Sequence, residues 1–280
     1  MSDDSTVRGL YIDLLRDVII NEIYRDTSIS QRRPNLVSKI FTGGERKSEQ
    51  FDSELRGKGL DWPSVAHSMI GRKRMDNLRD VACDVIEKGV PGDFIETGVW
   101  RGGACIFMRG ILKAYGVTDR TVWVADSFAG LPKPDAKKYA ADKGDKHHKV
   151  DVLAVTQEQV AEHFSRYGLL DDQVRFLKGW FSETLPTAPI DKLAILRLDG
   201  DMYESTMDGL VNLYKKVSPG GYVIVDDYYA VPACKAAVHD YLSRECSDET
   251  VSIQEIDGTG VYWRRDVRAL ASRAHGNPVR

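Results

Sequence analysis

The chain has 280 residues, which is enough for one large α/β domain with an added segment but too few for two ordinary domains with independent cores. Hydrophobic residues make up 42% and charged residues 29% of it, a globular composition that excludes wholesale disorder. A formal net charge of -3 argues against nucleic-acid binding, and the chain has no apolar run of about 18 residues that would predict a membrane span. We therefore expect a cytoplasmic protein that acts on a small molecule. Its four cysteines lack the paired spacing of metal or redox motifs, so we expect them to be reduced and buried.

Residues 1–90 are predicted to form a helical extension and a cover segment. Apolar residues repeat at helical spacing between Leu10 and Ile23, so one helix face must be buried, either on the main domain or in a homodimer contact. The polar stretch 28–61 predicts a mobile connection or cover. A second amphipathic helix is predicted over residues 75–89 and ends before a Pro-Gly pair.

From residue 91 onward, short apolar runs alternate with helical stretches. The runs cover residues 93–98, 121–126, 173–179, 193–200 and 222–227, and the helices cover residues 104–115, 157–167, 204–217 and 232–244. This alternation predicts a mainly parallel, doubly wound sheet with functional loops at the carboxyl ends of its strands. Thr156 and Gln159 are spaced for a capping box.

The last part of the core does not continue the alternation of strands and helices. Residues 251–263 predict an antiparallel hairpin with its turn at 257–260, which brings the sheet to seven strands. A parallel sheet finished by such a hairpin favours a methyltransferase over a plain dinucleotide-binding domain. We expect one domain overall, with its core at residues 91–270 and a tail at residues 271–280.

Two strand ends suggest a nucleoside site. The turn from Glu96 to Gly103 is rich in glycine, which permits close backbone approach to a ligand, although many such turns carry glycine for packing alone. Its spacing departs from the G-x-G-x-x-G fingerprint. Asp126, followed by Ser127, ends the next strand, where a carboxylate suits the two ribose hydroxyls of NAD or S-adenosylmethionine; the alternative is a solvated strand-end acid.

Four carboxylates follow two strands that should be neighbours: Asp199, Asp201, Asp226 and Asp227. Unless a cation compensates them, they would repel one another strongly. Oxygen-only ligands favour Mg²⁺ over zinc, so the pattern predicts a magnesium site; the alternative is a set of separate surface or capping groups.

The sequence resembles that of the macrocin O-methyltransferase family along nearly the whole chain. The resemblance is carried by residues 10–15, 65–71, 96–103 and 260–265. The resemblance implies a class I S-adenosylmethionine-dependent methyltransferase (Rossmann-like) fold and S-adenosylhomocysteine as product. It implies a deoxysugar hydroxyl of a glycosylated antibiotic as acceptor, first the 4-hydroxyl of noviose in an aminocoumarin, alternatively a macrolide deoxysugar. It also implies Asp199, Asp226 and Asp227 as metal ligands. Catechol-type relatives have asparagine where this chain has Asp227.

The remaining site predictions follow from these assignments. Glu96, Gly98 and Trp100 are expected at the cofactor, and by resemblance Ser68 and Met69 cover its methionine end. After the third strand, Gly179, Trp180 and Ser182 are expected near the adenine, although an aromatic residue there is equally often plain core.

Asp201 is the candidate base that removes the proton from the acceptor hydroxyl, with an outer-sphere partner of a metal-bound water as the alternative. The basic stretch at about residues 132–155, which includes His147 and His148, predicts a lid over the site. Its alternative is an uninvolved solvated loop. Two adjacent histidines alone do not make a metal site.

Two other functions fit the sequence less well. A nicotinamide-dependent oxidoreductase or epimerase needs a glycine fingerprint and a Tyr-x-x-x-Lys pair, and no such pair is suitably placed. A non-catalytic nucleoside-binding protein would not need four converging carboxylates.

Overall fold

The computed structural model describes residues 2–29, 48–247 and 249–266. The described helices are α1 (Ser2–Ile19), α2 (Ser53–Gly57), α3 (Gly71–Glu87), α4 (Gly103–Ala114), α5 (Gln157–Arg166), α6 (Phe181–Thr184), α7 (Tyr203–Leu213) and α8 (Pro232–Glu245). The described strands are β1 (Ser28–Ile29), β2 (Ser48–Glu49), β3 (Asp93–Thr97), β4 (Val122–Asp126), β5 (Val174–Lys178), β6 (Leu193–Leu198), β7 (Val217–Val225), β8 (Gln254–Glu255) and β9 (Val261–Arg264).

Seven strands form the main sheet in the order β5-β4-β3-β6-β7-β9-β8. The first five of these run parallel, and β9 pairs antiparallel with both β7 and β8. The mainly parallel sheet and the closing hairpin are therefore confirmed. The strand order reverses between β3 and β6, and in such sheets ligands bind outside the carboxyl ends at the reversal.

Both faces of the sheet are covered. Every residue of β6 is buried, as expected of a central parallel strand between two helical layers. One core contains residues of α1, α3, α4 and α5, and the other contains residues of α7, α8 and β9. The capping box at Thr156 and Gln159 is confirmed. The strand β7 begins at Val217, five residues before the predicted start.

The first helix packs on α4 with only part of its apolar surface. Leu15 and Ile19 are buried in the same core as β3, whereas Leu10 and Leu14 are more than half exposed. Tyr11 also lies on the outer side, at 39% exposure. The predicted contact with the main domain is thus present, and a homodimer contact for the outer residues stays a prediction.

Part of the segment predicted as a mobile connection or cover lies among the described residues and is anchored by a buried side chain. Arg56 on α2 is fully buried and forms ion pairs with Asp26 and Asp61. For residues 52–61 these ion pairs favour the cover alternative, because a buried guanidinium between two carboxylates ties the segment to the rest of the fold. Its mobility stays a prediction. Residues 30–47 of that expectation lie outside the described residues.

The cysteines, the membrane prediction and the predicted tail complete the comparison of the fold with the sequence. All four cysteines are free, and all except the half-buried Cys83 are buried. In the described part of the chain, no helix is long and apolar enough to span a membrane. The predicted tail, residues 271–280, lies outside the described residues.

Candidate functional site

A cavity of about 660 Å³ opens at the carboxyl ends of the central strands. All fourteen residues predicted for the site line it: Ser68, Met69, Glu96, Gly98, Trp100, Asp126, Ser127, Gly179, Trp180, Ser182, Asp199, Asp201, Asp226 and Asp227. The fold therefore brings the residues predicted to bind the cofactor and the four aspartates after β6 and β7 into one cavity, although they come from distant parts of the chain.

The glycine turn after β3 packs tightly against its neighbours. Gly98 has φ of 86°, and a Cβ there would lie 1.8 Å from the carbonyl oxygen of Asp199. A Cβ on Gly103 would lie 2.4 Å from the carbonyl oxygen of His67. Both glycines thus have a packing reason. Gly98 also lines the cavity, where it allows the close backbone approach that a ligand would use.

Asp126 is held in a fixed orientation at the end of β4. Its carboxylate accepts hydrogen bonds from the backbone N–H groups of Val99 and Phe128, each at 2.7 Å. Burial raises the pKa of Asp126, and these two hydrogen bonds oppose the rise. Each oxygen keeps a further lone pair, so two vicinal hydroxyls still find acceptors. The hydroxyl of Ser127 already donates to the carbonyl oxygen of Gly130 at 2.6 Å and shapes this loop.

The candidate adenine contacts stand at the cavity wall. Trp180 is 37% exposed and lines the cavity, so the plain-core alternative for this aromatic residue is wrong. Gly179 precedes it with φ of 142°. Ser68, which precedes β3 in the sequence, is buried beside Gly103.

Three aspartates form what we call the acidic cluster: Asp199, Asp226 and Asp227. Each offers a carboxylate oxygen, and these oxygens lie within 4.8 Å of one another. They meet because Leu198 at the end of β6 is in register with Val225 at the end of β7. Three hard oxygen donors at this spacing fit a magnesium-type cation.

Two buried arginines that were not among the predicted site residues also compensate the negative charge of the acidic cluster. Arg197 forms ion pairs with Glu96 at 2.6 Å, with Asp199 at 2.7 Å and with Asp226. Arg74 on α3 pairs with Asp226 as well, and with Asp257 of the hairpin at 2.9 Å. The expectation that a cation alone compensates the carboxylates is therefore corrected, because two guanidinium groups share in the compensation. Arg197 had a signal in the sequence, since it interrupts an apolar strand; Arg74 and Asp257 had none.

The acids remain strained electrostatically despite the arginines. Burial and the neighbouring Asp226 raise the pKa of Asp199 to about 8, and Arg197 opposes this only in part. Burial, Asp201 and Asp199 raise the pKa of Asp227 well above its usual value. Such shifts mark a site that favours an added positive charge.

Asp201 lies beside the acidic cluster in an unusual backbone conformation. Its φ is 57°, and its backbone N–H donates to Oδ2 of Asp227 at 3.1 Å. Burial raises the pKa of Asp201 to about 6, so the group is mostly ionised at neutral pH. A left-handed aspartate is uncommon and is typical of functional loops.

The predicted lid segment, residues 132–155, contains three short 3₁₀ turns rather than an extended loop. The buried Asp142 accepts hydrogen bonds from the backbone N–H groups of Tyr203 at 2.7 Å and Glu204 at 3.0 Å, where α7 begins. The indole N–H of Trp100 donates to the carbonyl oxygen of Val152 at 2.8 Å. The segment therefore forms one wall of the cavity, and its opening and closing stay a prediction.

Comparison with known proteins gives consistent matches. The family model for macrocin-O-methyltransferase (TylF) matches residues 8–265. The demethyldecarbamoylnovobiocin O-methyltransferase of Streptomyces niveus is 53% identical over 259 residues, which cover 92% of this chain and 94% of that protein. The 8-demethyl-8-(2,3-dimethoxy-alpha-L-rhamnosyl)-tetracenomycin-C 4'-O-methyltransferase of Streptomyces olivaceus is 51% identical over 273 residues, which cover 97% of this chain and 98% of that protein.

Solved structures agree with this assignment. The structure of the O-methyltransferase NovP matches with a TM-score of 0.84 and 50% identity, and the match covers 93% of this chain and 100% of that chain. The calicheamicin methyltransferase CalS11 matches with a TM-score of 0.54 and 20% identity over 70% of this chain and 81% of that chain, which shows a shared fold only. The predicted class I methyltransferase fold is confirmed.

Proposed function

Because the chain belongs to the macrocin O-methyltransferase family, we propose that it transfers the methyl group of S-adenosylmethionine to a deoxysugar hydroxyl of a glycosylated natural product, with Mg²⁺ bound. Family membership makes it an O-methyltransferase and not an oxidoreductase, an epimerase or a non-catalytic nucleoside-binding protein. The cofactor, the metal and the acceptor are the proposed part.

One observation carries the proposal: a single cavity is lined at one place by Asp126 and Trp180 and at another by the acidic cluster. The first pair suits the ribose and adenine of the cofactor, since Asp126 accepts hydroxyl hydrogen bonds and Trp180 offers an aromatic face. The second place suits a hydroxyl that must be bound and deprotonated. A reaction between the two ligands needs both places in one enclosed space.

Asp199, Asp226 and Asp227 would hold the metal ion. A bound magnesium-type ion would supply positive charge that makes a nearby sugar hydroxyl more acidic. Arg197 and Arg74 engage both oxygens of Asp226, which orients that carboxylate and leaves each oxygen a further lone pair for a cation. The arginines therefore complement the cation and do not replace it.

Asp201 takes the hydroxyl proton. Its backbone N–H bond to Asp227 places it beside the proposed metal ligands, and its ionised form is the one present at neutral pH. A positioned base of this kind contributes about 100-fold to 10,000-fold to the rate. Glu96 is held by Arg197 and Cys105, and its contact with the cofactor stays a prediction.

The first acceptor we propose is the 4-hydroxyl of noviose in an aminocoumarin, because a relative that is 53% identical acts on demethyldecarbamoylnovobiocin. A second candidate is the 4'-hydroxyl of a rhamnosyl group, supported by the tetracenomycin relative at 51% identity. A macrolide deoxysugar is a third, since the mycinamicin III 3''-O-methyltransferase of Micromonospora griseorubida is 51% identical.

The test is methyl transfer measured by mass spectrometry, with S-adenosylmethionine and the demethyl forms of these three glycosides as acceptors. We expect one acceptor to gain a single methyl group in Mg²⁺ and to gain none after chelation with EDTA. Transfer that persists in EDTA contradicts the metal assignment alone. No transfer to any glycoside contradicts the proposed acceptor class.

The assignment of Asp201 predicts the effect of one substitution. We expect Asp201→Asn to lower kcat by about 100-fold or more, because the amide cannot accept the proton. Binding of S-adenosylhomocysteine, measured by calorimetry, should match the wild type, because Asp126 and Trp180 are untouched. A variant with wild-type kcat would make Asp201 an outer-sphere group.

A further inference from the structure

His67 lies in the irregular segment between α2 and α3, and its main chain is fixed on both sides. Its backbone N–H donates to the carbonyl oxygen of Ile19 at 2.9 Å, at the end of α1. Its own carbonyl oxygen accepts the N–H of Gly103 at 3.0 Å, where α4 begins, and a Cβ on Gly103 would lie 2.4 Å from this oxygen. What remains to be fixed is the rotation of the His67 side chain.

The imidazole of His67 is oriented by residues of α5 and its end. Nδ1 of His67 is 2.7 Å from the hydroxyl oxygen of Tyr167, the residue after α5. The ring also packs against that of His163, with 4.3 Å between the ring centroids. Burial, His163 and Arg101 lower the pKa of His67 to about 4, so its imidazole is neutral at neutral pH and does not repel His163.

The hydroxyl of Tyr167 also selects the tautomer of this imidazole. It forms no other hydrogen bond with the residues that the structure describes, so we assign its proton to the bond with Nδ1 of His67. A neutral imidazole that accepts at one nitrogen carries its proton on the other. Nε2 of His67 is therefore a donor, and no described residue accepts from it. Since His67 lines the cavity, this N–H is available to a ligand with an acceptor group.

The strand order separates His67 from the proposed nucleoside contacts. In the order β5-β4-β3-β6, Trp180 follows β5 and Asp126 ends β4, whereas His67 is bonded to the residue that begins the helix after β3. A cofactor with its adenine at Trp180 and its ribose at Asp126 extends toward β3, because the acidic cluster lies beyond β3 on β6 and β7. That part of S-adenosylmethionine ends in an amino group and a carboxylate. The carboxylate is an acceptor for the free N–H of His67.

From these contacts we infer that His67 binds the carboxylate at the amino-acid end of the cofactor and that Tyr167 is its positioning residue; this inference rests on the proposed function. Nε2–H of His67 donates a hydrogen bond to a carboxylate oxygen of the bound cofactor. Tyr167 does not touch the cofactor, and it holds the imidazole in the rotation and the tautomer that this bond needs. A hydrogen bond to a carboxylate is stronger than one between neutral groups, so its loss is measurable.

The test compares two ligands that differ at this end. S-adenosylhomocysteine carries the amino and carboxylate groups, whereas methylthioadenosine keeps the nucleoside and the sulfur and lacks both groups. We expect His67→Leu to raise the Kd of S-adenosylhomocysteine about tenfold or more, the loss for one hydrogen bond to a charged group, and to leave the Kd of methylthioadenosine within about twofold. Tyr167→Phe should raise the first Kd about threefold to tenfold, because only part of the imidazole population then has the binding orientation. Calorimetric titration gives each Kd.

Tyr115→Phe is the matched control. Tyr115 follows α4 as Tyr167 follows α5, and both side chains are half-buried. The Tyr115 hydroxyl donates to Glu87 at 2.8 Å, and Tyr115 is not among the cavity-lining residues, so its variant should bind both ligands as the wild type does. The double variant of His67→Leu and Tyr167→Phe should bind S-adenosylhomocysteine no more weakly than His67→Leu alone, because the Tyr167 hydroxyl acts through the imidazole.

The two ligands separate this role from a structural one. Equal weakening of both ligands, or a wild-type Kd of S-adenosylhomocysteine in His67→Leu, overturns the inference. If His67→Leu does not fold, Tyr167→Phe decides in the same way: an unchanged ratio of the two Kd values overturns the inference. These results leave the proposed function intact as long as the wild type binds S-adenosylhomocysteine. A wild-type protein that binds neither ligand overturns the proposed cofactor and this inference together.

Discussion

Asp227 differs from the other two members of the acidic cluster. Asp199 pairs with Arg197, and Asp226 pairs with both Arg197 and Arg74, whereas Asp227 forms no ion pair among the residues that the structure describes. Burial and its acidic neighbours raise the pKa of Asp227 well above its usual value. Asp227 is therefore protonated more easily than a solvated aspartate, and a protonated carboxyl resembles an amide in shape and charge.

The first prediction concerns this difference. We expect Asp227→Asn to lower Mg²⁺ affinity and kcat by about tenfold or less, the lower end for groups around a metal, because an amide oxygen still ligates a hard cation. Asp226→Asn should instead destabilise the fold by about 3–5 kcal/mol, since it leaves buried guanidinium charge unpaired. Calorimetric Mg²⁺ titration and urea unfolding measure the two effects. Equal losses in both variants would contradict the distinction.

Stability should depend on pH through Asp199. Between about pH 4 and pH 8, the unfolded chain has released the Asp199 proton while the folded chain retains it, because the folded pKa is raised from 3.8 to about 8. The folded state therefore binds more protons, and its stability falls as pH rises through this window. In EDTA we expect the free energy of unfolding to decrease across it, and Mg²⁺ to restore most stability at the alkaline end.

The control for this pH dependence is Asp199→Asn. Its amide does not titrate, so its unfolding free energy should fall less steeply over the same window, as measured by urea unfolding at a series of pH values. An identical slope in the wild type and the variant would assign the effect to other groups, such as Asp208, whose pKa burial raises to about 6.

At the level of elements, the lid segment and α7 share one cap. Asp142 accepts the first free backbone N–H groups of α7, a role usually filled by a residue next to the helix in sequence. Here the cap comes from a segment 61 residues earlier. The lid segment is thus tied to the loop that carries Asp199 and Asp201, and displacement of the lid costs α7 its cap.

Replacement of Asp142 should therefore loosen the lid segment. We expect Asp142→Ala to cost about 1 kcal/mol in stability, the usual loss of a helix cap, and to make the lid lysines readily cleaved by trypsin. Asp151→Ala is the control, because Asp151 lies in the same segment and is exposed. Limited proteolysis, with fragments identified by mass spectrometry, gives the result. Equal cleavage rates in both variants would show that the cap does not hold the lid.

The elements also show what the sequence could predict and why. Short apolar runs and helical spacing are local patterns, so they located the strands β3–β7 and the closing hairpin. Parallel topology then placed Asp199 and Asp227 at one edge of the sheet. The arginine network was not predictable in the same way, because Arg74 and Asp257 are 183 residues apart and their pairing has no local pattern. The cap at Asp142 has no local pattern either, because Asp142 and Tyr203 are 61 residues apart. The composition of the lid segment, rich in lysine and polar residues, indicated only a loop.

Across the whole molecule, the N-terminal helix belongs to the same core as the strand that ends in the glycine turn. Leu15 and Ile19 of α1 share their hydrophobic cluster with Phe94 of β3. The side chain of Leu15 also fills the space next to Gly110 of α4, where a Cβ would lie 2.2 Å from its Cδ2 atom. The extension thus contributes to the stability of the layer that carries the proposed cofactor side of the cavity.

Two neighbouring leucines of α1 test this contribution. Leu15 is 6% exposed and Leu14 is 57% exposed, and both have the same helix propensity. We expect Leu15→Ala to lower the free energy of unfolding by about 2–5 kcal/mol, the range for a buried leucine that leaves a cavity, and Leu14→Ala to change it by about 0.5 kcal/mol or less. Urea unfolding measures both values. If Leu14→Ala proves as destabilising as Leu15→Ala, the outer face of α1 is buried in solution, and because no described residue covers it, that burial must come from outside the described fold.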